Sequence, residues 1–221
     1  MDLDTELARR NMTHQQIRCW DVLNTKVLDA LAGVPREHFV PEQYGNLAFA
    51  DTPLPIAPGH AMEATLSPTL EGKILEALDI QPNDRALIVG IGNGYLTACL
   101  TRLCQDVTGI DASPELVEAS RQKLTDIGIS TVRLKVQEPF ADEMKQQFDV
   151  VAITGSLPQY DQTIETWLKP GGRAFVVTGL APVMAALLIR RAADGEISTE
   201  SLFETVIAPL PNLNPKPTFD F

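Results

Sequence analysis

The stretch ALIVGIGNGYLTACLTRL, Ala86 to Leu103, reads as a buried strand, a glycine turn and a helix. Ala86 to Val89 is a short, unbroken apolar run, and Tyr95 to Leu103 carries its apolar residues at helical spacing. Between them, Gly90-Ile91-Gly92-Asn93-Gly94 strips side chains from the point where strand passes into helix. Such a turn lets a ligand approach the backbone and meet the free N–H groups of the helix's first turn. Val107 to Ile110 is the next apolar run, and Asp111 ends it, seventeen residues past Gly94. An acid at that strand tip accepts hydrogen bonds from both hydroxyls of a ribose. Gly90, Gly92, Gly94 and Asp111 therefore predict a nucleoside site at the C-terminal edge of a parallel sheet.

The spacing selects the nucleoside. A dinucleotide fingerprint needs a third glycine where this chain has Tyr95, so an NAD-dependent oxidoreductase is the weakest of three readings. The GxGxG form fits a ligand with one nucleoside and an amino-acid carboxylate, which points to S-adenosylmethionine. Methyl transfer from a sulfonium gains mostly from orientation, so it asks little acid–base chemistry of the chain.

Outward from this stretch the same texture repeats. Ser113-Pro114-Glu115 offers a capping hydroxyl, a proline and an acid at a helix start, and Gly128 suits that helix's C-terminal end. Val132 to Val136 and Phe148 to Thr154 read as strands, Tyr160 to Leu168 as a helix stopped by Lys169-Pro170-Gly171-Gly172, and Arg173 to Thr178 as another strand. Several βα units in succession make a doubly wound sheet the economical fold. Upstream, Ile17, Trp20, Leu23, Val27, Leu28 and Leu31 form the core stripe of one or two amphipathic helices. Five prolines between Val34 and Gly59 predict an extended loop without regular helix, and Ser67-Pro68 caps a helix faced with Leu70, Ile74, Leu75 and Leu78. Val183 to Ile189 fits helix or strand by periodicity, while the Asp194-Gly195 turn before Leu202 to Ile207 favours an edge hairpin. The proline-rich tail from Pro209 is expected to be irregular.

The expected fold is α/β, a Rossmann-like methyltransferase fold with a mostly parallel sheet, N-terminal helices and a C-terminal β-hairpin. One domain spans residues 1–221: helices and substrate loop over 1–80, the cofactor core over 81–180, and hairpin and tail over 181–221. The 18 Lys and Arg against 29 Asp and Glu leave a net charge of −11, which excludes the broad positive field of a nucleic-acid binder. No apolar run is long enough to span a bilayer, and the first residues lack a signal peptide's pattern, so a cytoplasmic protein is expected. Cys19, Cys99 and Cys104 read as reduced thiols; they and His14, His38 and His60 lack metal-ligand spacing, so no metal is expected. No heptad or edge signal argues against a monomer.

Further segments carry a family likeness. QQIR at Gln15 to Arg18, VPREHFVP at Val34 to Pro41 and AFADTPLPIAPG at Ala48 to Gly59 precede the glycine stretch. FDVVAIT at Phe148 to Thr154, LKPGGR at Leu168 to Arg173 and Pro209-Leu210 follow it in order. With these the chain resembles the protein-L-isoaspartate O-methyltransferase family over nearly its whole length. The resemblance implies methylation of the α-carboxylate of L-isoaspartyl residues in damaged proteins or peptides. It implies a cofactor set of Gly90, Gly92, Asn93, Gly94, Tyr95, Asp111, Gln137 and Glu138. It also implies a substrate loop, Pro53 to Ser67, in which Pro55, Ile56 and His60 meet substrate together with Thr154, Gly155 and Ser156.

The sequence departs from the family pattern around the ligands. Glu63 stands at the family's hydroxyl position in the substrate loop, where an acid repels a carboxylate. Thr65 is the candidate replacement hydroxyl, and Ser67 is better read as the helix cap. Ile88 stands where the family has an acid, Gln137 replaces an Asp on the adenine side, and Thr154-Gly155-Ser156 replaces TAA. Two readings follow: an active methyltransferase, or a silent relative that binds S-adenosylmethionine and acts as a regulatory or interaction protein.

Overall fold

A computed structural model describes residues 3–56, 64–140, 144 and 148–211. Helices α1 (Leu3–Asn11), α2 (Thr25–Gly33), α3 (Arg36–Phe39) and α4 (Pro68–Leu78) precede the sheet. Then follow β1 (Arg85–Val89), α5 (Tyr95–Leu103), β2 (Asp106–Asp111), α6 (Pro114–Asp126), β3 (Arg133–Val136), β4 (Phe148–Leu157), α7 (Thr163–Trp167) and β5 (Leu168–Leu180). The strands β6 (Val183–Arg191) and β7 (Ile197–Glu204) complete a seven-stranded sheet of order β3-β2-β1-β4-β5-β6-β7. The first five strands in that order run parallel, and β6 and β7 join as an antiparallel hairpin.

Alternation along each strand divides the core between two faces. Ala86 and Ile88 of β1 pack with Ile74 and Leu75 of α4, Cys99 and Leu100 of α5, and Val117 and Leu124 of α6. Leu87 and Val89 face the opposite way, toward Trp167 of α7, Phe148 and Ile153. Both faces of β1 are dry, as a central parallel strand requires. The chain reverses its winding between β1 and β4, the place where open α/β sheets open a crevice at their carboxyl ends. Among the described residues no helix is long and apolar enough to cross a membrane.

Sequence signals fix the helix ends in this half of the chain. Ser67 Oγ accepts the Leu70 N–H at 3.4 Å and Ser113 Oγ the Leu116 N–H at 3.2 Å, each with proline at the first helical position. Gly128, at φ +79°, closes α6 by donating its N–H to Thr125 O, and Ile129 reaches back to Leu124 O.

Other expectations are corrected. The N-terminal stripe is broken: residues 12–20 form a π-turn and a 3-10 turn, and Asp21 sits at φ +64° before Asn24 caps α2. The break leaves Trp20 and Leu23 outside the core, 56% and 62% exposed. Residues 34–59 are not without helix, because Pro35 and Pro41 stand at N-caps of α3 and of a 3-10 segment, Glu42–Leu47, and initiate these short helices. The helix expected from Tyr160 to Leu168 shortens to α7, and Lys169 to Gly172 lie within β5. Val183 to Ile189 is strand, and its partner β7 begins at Ile197 rather than Leu202. As an edge strand covered on little of its surface, β7 needs no apolar run to mark its start.

Candidate active site

The strand register builds the site. Val89 of β1 pairs with Ile110 of β2 and with Ile153 of β4, so the residues that follow, Gly90, Asp111 and Thr154, stand side by side at the carboxyl edge. Gly90 turns the chain at φ +86°, and a Cβ there would lie 2.4 Å from Thr154 Oγ1. Thr154 uses that hydroxyl to donate to the Gly90 carbonyl at 2.6 Å, locking the tip of β4 to the turn. Ser120 of α6 grips the turn from the other side, donating its hydroxyl to Gly92 O at 3.1 Å.

Asp111 is 5% exposed and holds the turn together. One carboxylate oxygen accepts the Gly92 N–H at 3.2 Å and the other the Ser113 N–H at 3.0 Å. A carboxylate offers about four lone-pair sites, so each oxygen keeps one for a ligand hydroxyl. Asn93 accepts the Tyr95 N–H through Oδ1 at 3.1 Å, and its buried Nδ2 has no partner among the described residues.

These groups line a cleft of about 650 Å³, counted out to its open mouth. Gly90, Gly92, Asn93, Asp111, Ile56, Thr65, Thr154 and Gly155 all contribute to its wall. The two ends of the segment expected to be the substrate loop are pinned together: Pro55 bridges Ala64, Thr65 donates its N–H to Leu54 O at 2.8 Å, and Thr65 Oγ1 accepts the Leu54 N–H at 3.1 Å. Thr65 thus stands in the cleft wall with its hydroxyl anchored to the Leu54 N–H. His60 and Glu63 lie outside the described residues.

Several expected site residues do other work. Tyr95 is a correction: its ring is fully buried, its hydroxyl donates to Leu31 O at 3.1 Å, and its N–H is taken by Asn93, so it supports the turn from the core and does not line the cleft. Ser156 is another. It is 1% exposed, and its backbone pairs with Ala208 and Leu210, which makes it the anchor of the C-terminal segment rather than part of the wall. Gln137 stands at the same sheet edge, donating its N–H to Asp111 O at 2.9 Å; it and the exposed Glu138 lie off the cleft wall, as does Gly94, which caps α5 at φ +90°. Pro55 likewise stands behind the wall, beside Ile56.

A buried ion pair beside the cleft escaped the sequence reading. Arg36 is fully buried. It donates Nε to Ala48 O and Nη2 to Leu66 O, both at 2.9 Å, and Nη1 to Oε2 of Glu71. Glu71 is 2% exposed and lines the cleft. Burial pushes its carboxyl up to about 7 against the opposing pull of Arg36, with Asp51 adding to the rise. The available signal was periodicity: Glu71 shares with Ile74, Leu75 and Leu78 the face of α4 that goes into the core, where an acid needs a partner.

Comparison with known proteins gives concordant matches. The family model for protein-L-isoaspartate(D-aspartate) O-methyltransferase matches residues 8–214. A protein-L-isoaspartate O-methyltransferase of Aeropyrum pernix is 31% identical over 208 residues, 92% of this chain and 79% of the relative. One from Koribacter versatilis is 33% identical over 207 residues, 92% of this chain and 90% of the relative. A Plasmodium falciparum crystal structure assigned to the same enzyme, in complex with S-adenosyl-L-homocysteine, superposes with a TM-score of 0.77. It shares 18% identity, with 91% of this chain and 97% of that one covered.

Proposed function

Because the chain belongs to the protein-L-isoaspartate O-methyltransferase family, we propose that it methylates the free carboxylate of L-isoaspartyl residues in damaged proteins and peptides, using S-adenosylmethionine. Bound in the cleft, the cofactor supplies an activated methyl group. The chain's own residues do the rest by holding and orienting. Asp111 accepts from the ribose hydroxyls, the turn from Gly90 to Asn93 gives the ligand close access to backbone, and Ile56 and the pinned loop ends flank the place where a carboxylate would enter. Thr65 is the hydroxyl that meets substrate, presented to the cleft by its bond to Leu54. Such positioning lowers a barrier whose leaving group is already good.

The observation that carries this reading is the convergence of Asp111, the glycine turn and the two ends of the substrate loop on one cleft at the switch point of the sheet. Relatives named for the enzyme over most of the chain support turnover against the alternative of a silent interaction protein. The substrates are peptides and proteins rather than nucleic acid, and the chain acts as a cytoplasmic monomer. The test is methyl transfer from labelled S-adenosylmethionine to a short L-isoaspartyl peptide, with the matched L-aspartyl peptide as control. Label on the isoaspartyl peptide alone is the expected outcome; label on neither, from folded protein, refutes it.

A further inference from the structure

Methyl transfer as described leaves Glu71 without a task, although this buried carboxyl lines the cleft. Arg36 donates to one of its oxygens, Oε2. Asn93, in the same wall, is 7% exposed and holds an amide Nδ2 with no partner among the described residues. A buried donor left unpaired costs free energy that a ligand acceptor recovers. The described charged residues of the wall are Glu71 and Asp111, both acidic, so the cleft favours a cation.

One acceptor carboxylate and one free amide donor form the complement of an α-amino acid zwitterion. Resting on the S-adenosylmethionine reading above, we propose that Glu71 recognises the α-ammonium of the cofactor's amino-acid end, while Asn93 Nδ2 donates to its carboxylate. Arg36 is the positioning residue. Tied to the Ala48 and Leu66 carbonyls, it fixes the Glu71 carboxyl, and it does not itself line the cleft.

The arrangement carries its own pH signature. The groups facing Glu71 are Arg36 from α3, Asp51 from the loop before α4, and Tyr95 and Cys99 from α5. Burial pushes the Tyr95 and Cys99 groups up and keeps both neutral. Glu71 therefore takes up its own proton near 7, and a protonated acid no longer attracts an ammonium. Affinity for a ligand bearing the ammonium falls as pH drops through that range; affinity for one without it stays level.

Calorimetric titration of the full chain tests this with two probes, S-adenosylhomocysteine and its analogue lacking the α-amino group. At about pH 8 the wild type is expected to prefer the first by about 10-fold or more, the size of a charge-assisted hydrogen bond. The preference should shrink several-fold by about pH 6. In Glu71→Gln it should fall to roughly 2-fold or less and lose its pH dependence. Equal binding of the two probes by the wild type, or the same preference in both proteins, overturns the assignment. Should Glu71→Gln fail to fold, a wild-type preference constant between about pH 6 and pH 8 overturns it as well. Binding of neither probe refutes the cofactor reading along with it.

Discussion

At the scale of the residue, Asp111 does two things at once: it ties Gly92 and Ser113 in place and keeps lone pairs for a ribose. Asp111→Ala should weaken S-adenosylhomocysteine binding on the order of 100-fold, since two charge-assisted bonds go together; titration calorimetry reads this directly. Glu71 makes a separate prediction about stability. With its carboxyl held at about 7, chiefly by burial, the folded chain keeps a proton that the unfolded chain releases near the ordinary value of 4.5. The contribution is present in full below about 4.5 and is lost as pH rises through about 7, a change on the order of 3 kcal/mol. Urea midpoints of wild type and Glu71→Gln, compared at about pH 5 and about pH 8, should therefore diverge, with the wild type losing ground at the higher pH. Asp111 was legible because its spacing from a glycine turn is a local pattern. The Arg36–Glu71 pair was not, since its partners stand 35 residues apart and only the fold brings them together.

The capped helices α4 and α6 followed from sequence because each carries its own punctuation. Ser67 and Ser113 cap helices with proline behind them, and each following stripe is uninterrupted. Ser67→Ala should cost about 1 kcal/mol in unfolding free energy and leave the affinity for S-adenosylhomocysteine within about 2-fold, because its hydroxyl serves the Leu70 N–H. A loss of turnover without loss of stability would instead return Ser67 to the list of substrate hydroxyls. The stretch before Ser67 was less legible for the opposite reason. Asp21 takes a left-handed backbone that nothing in its neighbours requires, and it splits a periodic stripe that reads as one or two helices. Proline there marks starts as well as interruptions, as Pro35 and Pro41 show.

Across the whole molecule, the cleft is closed by chain that is remote in sequence. After β7 the backbone crosses back over the carboxyl edge, where Ser156 N–H donates to Ala208 O at 2.9 Å and Leu210 N–H donates to Ser156 O at 3.1 Å. Leu210, 2% exposed, packs into the core beside Gly155, and Ala208, Pro209 and Pro211 join it in the cleft wall. The sequence marks the chain from Pro209 onward only as proline-rich; what pattern alone withheld is that its described residues, Pro209 to Pro211, bridge to Ser156 and form one side of the site. Gly155 makes the crossing possible, because a Cβ on it would stand 2.7 Å from Leu210 N and 2.8 Å from Leu210 Cγ. Backbone at that distance has nowhere to yield, so Gly155→Ala should push the segment off the sheet. The expected cost is about 2 to 4 kcal/mol, as for other core disruptions, together with a loss of S-adenosylhomocysteine affinity larger than stability alone explains. Hydrogen exchange of the Ser156 and Leu210 amides separates the two effects. Both should lose protection in Gly155→Ala while the amides of β1 and β2 keep theirs; uniform loss across the sheet would mean that the segment is only another part of the core.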